Sequence, residues 1–319
     1  MKKLNFLTIF LLLFSYLNAK DLNPSSSLVS SGAVTNLVVK DNFLYAATAA
    51  SSVDIFDLNE KEKIHSIKVE QIKDFAGDII DSKIYSTDII DEKVLILSQG
   101  KGGGRDIYIY ENEKLENIVS AKDRLFIAYA KFLDNKHIVY ALLSNQIYLY
   151  DIEKKEIINE IQISQSSFSH FSFDEAKKNL FIADESGIIT QIDPRTFKKI
   201  KTFKGQNVDR VFQIDIKKNT LLAGGQDRRV SLYSLGFASA SYIANNFLVY
   251  SVALSPSSKL GAYALNEEND VAVFDTSSKQ TKFILRNNKS LLTNILFLNE
   301  DEILVASDDN NINYYNLKD

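Results

Sequence analysis

A short pattern returns seven times along this chain, and its spacing limits the fold more than any other feature. The pattern is an apolar residue, a spacer, an apolar residue, an aromatic, then an acid or small polar residue. It reads Val53-Asp54-Ile55-Phe56-Asp57, Ile107-Tyr108-Ile109-Tyr110-Glu111 and Ile147-Tyr148-Leu149-Tyr150-Asp151, and more weakly Ile189-Thr190-Gln191-Ile192-Asp193. The last three copies are Val230-Ser231-Leu232-Tyr233-Ser234, Val271-Ala272-Val273-Phe274-Asp275 and Ile312-Asn313-Tyr314-Tyr315-Asn316. The copies end at 57, 111, 151, 193, 234, 275 and 316, so the intervals are 54, 40, 42, 41, 41 and 41. A fixed period of roughly 20–50 residues marks an array of supersecondary units that bury their faces against one another.

Each unit has further parts. A second run precedes each copy: 43–47, 94–97, 138–143, 180–183, 221–223, 261–265 and 303–306. A third run lies upstream of that, clearest in Tyr250–Pro256, and a fourth follows the motif, as in Lys282–Leu285 or Ile157–Ile163. Four short strands per unit of about 41 residues, seven times over, predict an all-β, seven-bladed β-propeller. Strands such as Ile107–Tyr110 and Val271–Phe274 are apolar on both faces, as strands covered by a neighbour on each side must be. The seventh copy leaves its blade without an outer strand before Asp319. The segment Leu22–Ser31, with Leu28 and Val29, is expected to supply that strand and close the ring.

The first residues read as an export signal. Lys2 and Lys3 precede a largely apolar run from Leu4 to Leu17, and Ala19 offers a small residue for cleavage. That run is shorter than the roughly 20 residues that span a bilayer as a helix. The expected organisation is therefore a signal peptide over 1–19 and a propeller over 20–319, in the periplasm, without stable membrane insertion after cleavage. Lys and Arg number 37 against 41 Asp and Glu, a net charge of −4. This lacks the basic footprint of a nucleic-acid binder. No Cys is present, which removes disulfides, Cys-ligated metals and thiol catalysis. The three histidines, His65, His137 and His170, fall in different units with nothing to bring them together. No catalytic residue, metal ligand set or cofactor site is assigned.

The unit 249–275, with its Val-Ala-Leu-Ser-Pro run and Val-Ala-Val-Phe-Asp end, resembles a WD40 repeat. The pairs Phe56-Asp57, Tyr150-Asp151 and Phe274-Asp275 stand where that family usually carries Trp-Asp. There is no Trp and no Gly-His pair before any unit, so the His/Ser–Asp–Trp network of the family cannot form, and a divergent bacterial WD40-like propeller fits. More narrowly, the exported, Cys-free chain resembles the NapL family of WD40-like accessory proteins encoded with some periplasmic nitrate reductases. That resemblance implies a non-catalytic role in supporting the reductase.

Three loop features are candidates for contact with a partner. Gly100-Lys101-Gly102-Gly103-Gly104-Arg105 runs into a strand and not a helix, so it reads as a hairpin tip and not a phosphate loop. The interval of 54 holds extra residues there and near 70–81, where Ile72, Phe75, Ala76, Ile79 and Ile80 follow helical spacing and allow a short helix, although Gly77 counts against it. The repeat alignment puts Arg105, Arg124, Arg210, Arg228, Arg229 and Arg286 in or beside loops of one face, with Arg195 alone opposite. Arg is enriched at interfaces and Lys depleted, so this face is expected to dock an acidic or anionic protein surface. The acidic stretches 267–270 and 308–310 read as solvated turns. The expected function is a non-enzymatic periplasmic interaction protein whose expected partner is a periplasmic nitrate reductase subunit or an acidic protein surface. The alternatives are a lactonase-like hydrolase with carboxylates around a central metal, or a sensor taking a small ligand in the channel.

Overall fold

The structure, a computed structural model, describes residues 19–319. The expected signal peptide lies, up to residue 18, outside the described residues. From there on, the chain is almost wholly strand and turn, in seven sheets arranged as the blades of a propeller. Blades 1 to 5 comprise residues 34–68, 84–119, 127–162, 168–203 and 211–244, each an antiparallel meander from an inner to an outer strand. Blade 6 comprises 252–285, and blade 7 comprises 292–316. The recurring motif is the third strand of every blade.

The core is divided into seven apolar clusters, one wedged between each pair of adjacent blades. This is what the two-sided motif strands required. In blade 3, Tyr148 and Tyr150 face blade 2, whereas Ile147 and Leu149 face blade 4. Close approach also fixes residue choice. A Cβ on Gly224 would lie 2.6 Å from Val249 Cγ1 and 2.7 Å from its carbonyl oxygen, so only glycine fits there.

Closure follows the expectation and adds to it. Ser26–Val29 pairs antiparallel with Asn311–Asn316 as the fourth strand of blade 7. Leu28 then sits at 4% exposure between blades 7 and 1. Just before it, Lys20–Leu22 pairs in parallel with Thr281–Leu285, a fifth strand on blade 6. The N-terminal segment thus clips two neighbouring blades, and Arg286 fastens it by reaching both Asp21 and the buried carboxylate of Asp270.

The acid that ends the motif has a local cause. Asp57, Asp193 and Asp275 each accept main-chain N–H groups two and three residues on through Oδ1, and Asp151 accepts one three residues on. Each caps the turn into the outer strand, as Asx residues do. At the opposite end, buried carboxylates gather hydroxyl and N–H donors. Asp54 accepts from Ser31 and Ser66, Asp184 from Ser164 and Ser186, and Asp227 from Asn207 and the Val208 N–H.

One expectation is overturned. Residues 70–81 form a two-stranded hairpin, Ile72–Lys73 with Ile79–Ile80, and not a helix. Asp74 Oδ1 takes the N–H groups of Ala76 and Asp78, and Gly77 adopts φ 95°, so the turn closes before a helical hydrogen bond can form. The Gly-rich segment is a turn between second and third strands. Gly100 N–H reaches the Gly104 carbonyl at 2.9 Å, and the strand Arg105–Glu111 follows directly.

Candidate functional site: the arginine-bearing face and the channel

Strand direction sets which side chains share an end of the ring. Turns between second and third strands, and connections from each outer strand to the next inner one, all lie at one end. Arg105, Arg124, Arg210, Arg228, Arg229 and Arg286 occupy those turns and connections, while Arg195 sits in a third-to-outer turn at the other end and pairs with Asp134 at 2.9 Å.

The six arginines are not equivalent. Arg105 and Arg124 lie on adjoining loops of blade 2, and Arg210, Arg228 and Arg229 on adjoining loops of blade 5, where Gln226 N–H meets the Arg210 carbonyl at 2.8 Å. Arg286 stands apart at the blade 6 clip. Three are held internally. Arg105 stacks over Tyr85 at 4.1 Å and donates to the Gly103 carbonyl. Arg229 stacks over Tyr242 at 4.4 Å and donates to the Gln206 carbonyl. Arg286 is engaged with Asp21 and Asp270. Arg124 and Arg228 are exposed, both at left-handed backbone positions that push the side chain out of a tight turn, and Arg210 touches only Ser169 Oγ, at 3.3 Å. Among the described residues, the guanidinium groups of this face without a carboxylate or stacked aromatic partner are therefore Arg124, Arg210 and Arg228.

Of the apolar half of this face, only Phe75 and Ile79 stand out in the sequence. Phe75 (94% exposed), Ile79, Phe126 (53%), Leu143, Val208 (62%) and Leu291 are large apolar side chains left in solvent, all on the same end as the arginines. The opposite end shows Phe43 and Phe237. Phe126 and Leu143 adjoin, since Leu143 N–H meets the Phe126 carbonyl at 3.0 Å, and both lie close to Arg124 in sequence or strand order. Val208 is two residues from Arg210. The signal was present as single large apolar residues inside polar loops, such as Asn207-Val208-Asp209.

The second feature is the channel. The inner strand of blade 2 carries a register shift followed by Ser86. In blades 1, 3, 4, 5 and 7 the inner strand carries the same shift, and the residue just after it is Asn36, Tyr129, His170, Gln213 or Asn294. All five line a cavity of about 120 Å³ on the propeller axis. A bulge re-aims the following side chain, so one local device repeated around the ring builds the lining. Many of these groups link blade to blade by accepting a main-chain N–H from the next inner strand. The bonds are Asn36 Oδ1 from Thr87 (3.1 Å), Asp88 Oδ2 from Phe132 (2.9 Å), His170 Nδ1 from Ile214 (3.4 Å), Gln213 Oε1 from Val252 (3.0 Å), Asp215 Oδ2 from Leu254 (2.8 Å) and Asn294 Oδ1 from Leu37 (3.3 Å). Burial pushes the His170 imidazole down to about 3, with the Lys131 charge adding to it, so it is neutral at pH 7. Burial works against the Lys131 charge, but Tyr129, Asp88 and Asp215 outweigh it and hold its pKa above the usual lysine range.

The histidines lie apart. His65 is near Tyr110, His137 is bonded to Asp134 at 2.8 Å, and His170 is in the channel. Among the described residues, no three His, Cys, Asp or Glu side chains converge as a metal site. Asp270 is tied to Asn266 and Arg286, and Asp309 to Asn310 and Asn311. No described helix is long and apolar enough to cross a membrane.

Comparison with known proteins bears on the fold. No family model matches the chain. No curated protein matches it either. Solved structures do, and one of them is the Cps50 (Swd1) β-propeller domain of Myceliophteria thermophila, with a TM-score of 0.74 and 15% identity over 92% of this chain and 99% of that one. The chain shares the β-propeller fold with that domain at an identity that speaks for fold alone.

Proposed function

We propose that this protein is a non-enzymatic interaction scaffold, exported to the periplasm, that docks a protein partner on its arginine-bearing face. The observation that carries the reading is the coincidence on one end of the ring of unpaired guanidinium groups and large exposed apolar side chains. Single exposed apolar residues need no explanation, but several gathered on one face do. Interfaces combine an apolar centre with Arg contacts, and Phe126 with Leu143 beside Arg124, and Val208 beside Arg210 and Arg228, have that composition. The partner surface that fits is apolar with an acidic rim. In its narrower form, supported by the sequence resemblance, the partner is a subunit of a periplasmic nitrate reductase, whose assembly or activity the scaffold assists.

The test is capture from periplasmic extract of the source cell on immobilised protein. The wild type should retain a defined partner at low salt and release it as salt rises. The variant Arg124→Glu/Arg210→Glu/Arg228→Glu, folded to the same melting temperature, should lose it. Equal capture by the two proteins would refute the docking face. Capture of a partner other than a reductase subunit would refute the narrower form alone.

A further inference from the structure

We propose that the channel is a binding site for a small carboxylate or oxyanion, gripped by the Lys131 ammonium with the Tyr129 hydroxyl, the His170 Nε2–H and the Gln213 carboxamide N–H groups. Around the channel several of the oxygens that could accept from a ligand are already engaged. Gln213 Oε1 takes Val252 N–H, both oxygens of Asp215 take main-chain N–H groups (Leu254 and Ile216), and Asp88 Oδ2 takes that of Phe132. The donors are not occupied in the same way. His170 accepts at Nδ1 from Ile214, which places its proton on Nε2. Gln213, bonded through its oxygen, keeps its NH₂ group for the cavity it lines.

Lys131 is the centre of this set. Its side chain lies inside the cavity yet remains 23% accessible, and its nearest carboxylate oxygen, Asp88 Oδ1, is 3.9 Å away, beyond hydrogen-bond reach. A charged ammonium enclosed by protein is costly unless its N–H groups are satisfied. An acceptor-rich ligand in the channel satisfies them. Tyr129 is held in place by its ring, which packs on His170 at 4.9 Å and edge-on against Phe171 at 5.1 Å, so its hydroxyl is pre-positioned beside Lys131. Lys217, on the inner strand of blade 5, lines the same cavity and adds positive charge. A water needs about 10–15 Å³ of such space, so 120 Å³ admits a ligand of roughly ten heavy atoms or fewer. That is the size of acetate through a four-carbon dicarboxylate.

The experiment is titration of the mature protein with acetate, succinate and inorganic phosphate, read by calorimetry and by the rise in melting temperature, with acetamide as the uncharged control. Saturable binding of at least one anion, without binding of acetamide, is expected. Lys131→Met should weaken it tenfold or more. Tyr129→Phe, which keeps the ring and removes only the hydroxyl, should weaken it severalfold and guards against Lys131→Met failing to fold. The Arg124/Arg210/Arg228 glutamate variant should bind the anion as the wild type does, which separates this site from the docking face. Absence of saturable anion binding, acetamide binding as well as acetate, or unchanged affinity in both channel variants would overturn the proposal.

Discussion

At the scale of single residues, the side chains that looked functional divide into those that hold the fold and those that face outward. Arg286 is the clearest holder. Its partner Asp270 has a side chain only 4% exposed. Arg286→Met leaves that carboxylate with Asn266 alone, and because the Arg286 side chain is itself 37% exposed, a loss of about 1–2 kcal/mol in urea unfolding is expected, below the range for a fully buried pair. His170 gives the molecule a pH dependence whose sign can be worked out. Its folded pKa lies below the unfolded value of 6.5, at about 3. The stability it contributes is full above pH 6.5 and falls as pH drops toward 3, because the unfolded chain takes up a proton that the folded chain refuses. For one proton the slope is about 1.4 kcal/mol per pH unit. His170→Gln keeps an acceptor for Ile214 N–H and removes the titration, so unfolding followed between pH 6 and 4 should be flatter in the variant. An identical slope in both proteins would rule out this role. Asp275, lowered to about 2 by Ser277 and Ser278, acts in a lower window, contributing above pH 4 and losing that contribution as pH falls toward 2.

At the scale of elements, the strand of blade 7 donated by the N-terminal segment is the weak point of the ring. Leu28 carries its burial between blades 7 and 1. Leu28→Ala should cost about 2–5 kcal/mol, as expected for emptying a buried aliphatic site. The loss should show first as faster hydrogen exchange along Asn311–Asn316, the strand it covers. Removing residues 20–31 takes away both added strands, exposes the edges of blades 6 and 7, and should lower the melting temperature further while promoting aggregation. The hairpin at 72–80 is a different kind of element. Ile72 at its base is buried, but Phe75 at its tip is exposed, so shortening the tip over 74–78 should leave stability unchanged and reduce partner capture.

At the scale of the whole molecule, a closed ring makes the two faces and the axis available for different tasks. The seven apolar wedges take up the interior of the blades, so function is left to loops at the ends and to side chains at the axis. Charge reversal at Arg124, Arg210 and Arg228 belongs to one of these regions and channel variants to the other, and their effects are expected to be additive. A double set that shows coupling well beyond about 0.5 kcal/mol would indicate that the axis and the face communicate.

The sequence by itself determined the architecture, because the period of about 41 residues and the two-sided apolar strands are local and repeated. Only one arrangement buries both faces of every such strand. It also located the closing strand, since a seventh unit lacking its fourth strand leaves an edge that Leu28 can cover. Tertiary structure decided what depends on partners far apart in the chain. Asp21 meets Arg286 across 265 residues, and the lining of the channel joins inner strands about 40 residues apart, each re-aimed by a bulge that no local pattern announces. It also decided which arginines are free, because Tyr85, Tyr242 and Asp270 claim three of them through contacts set by folding.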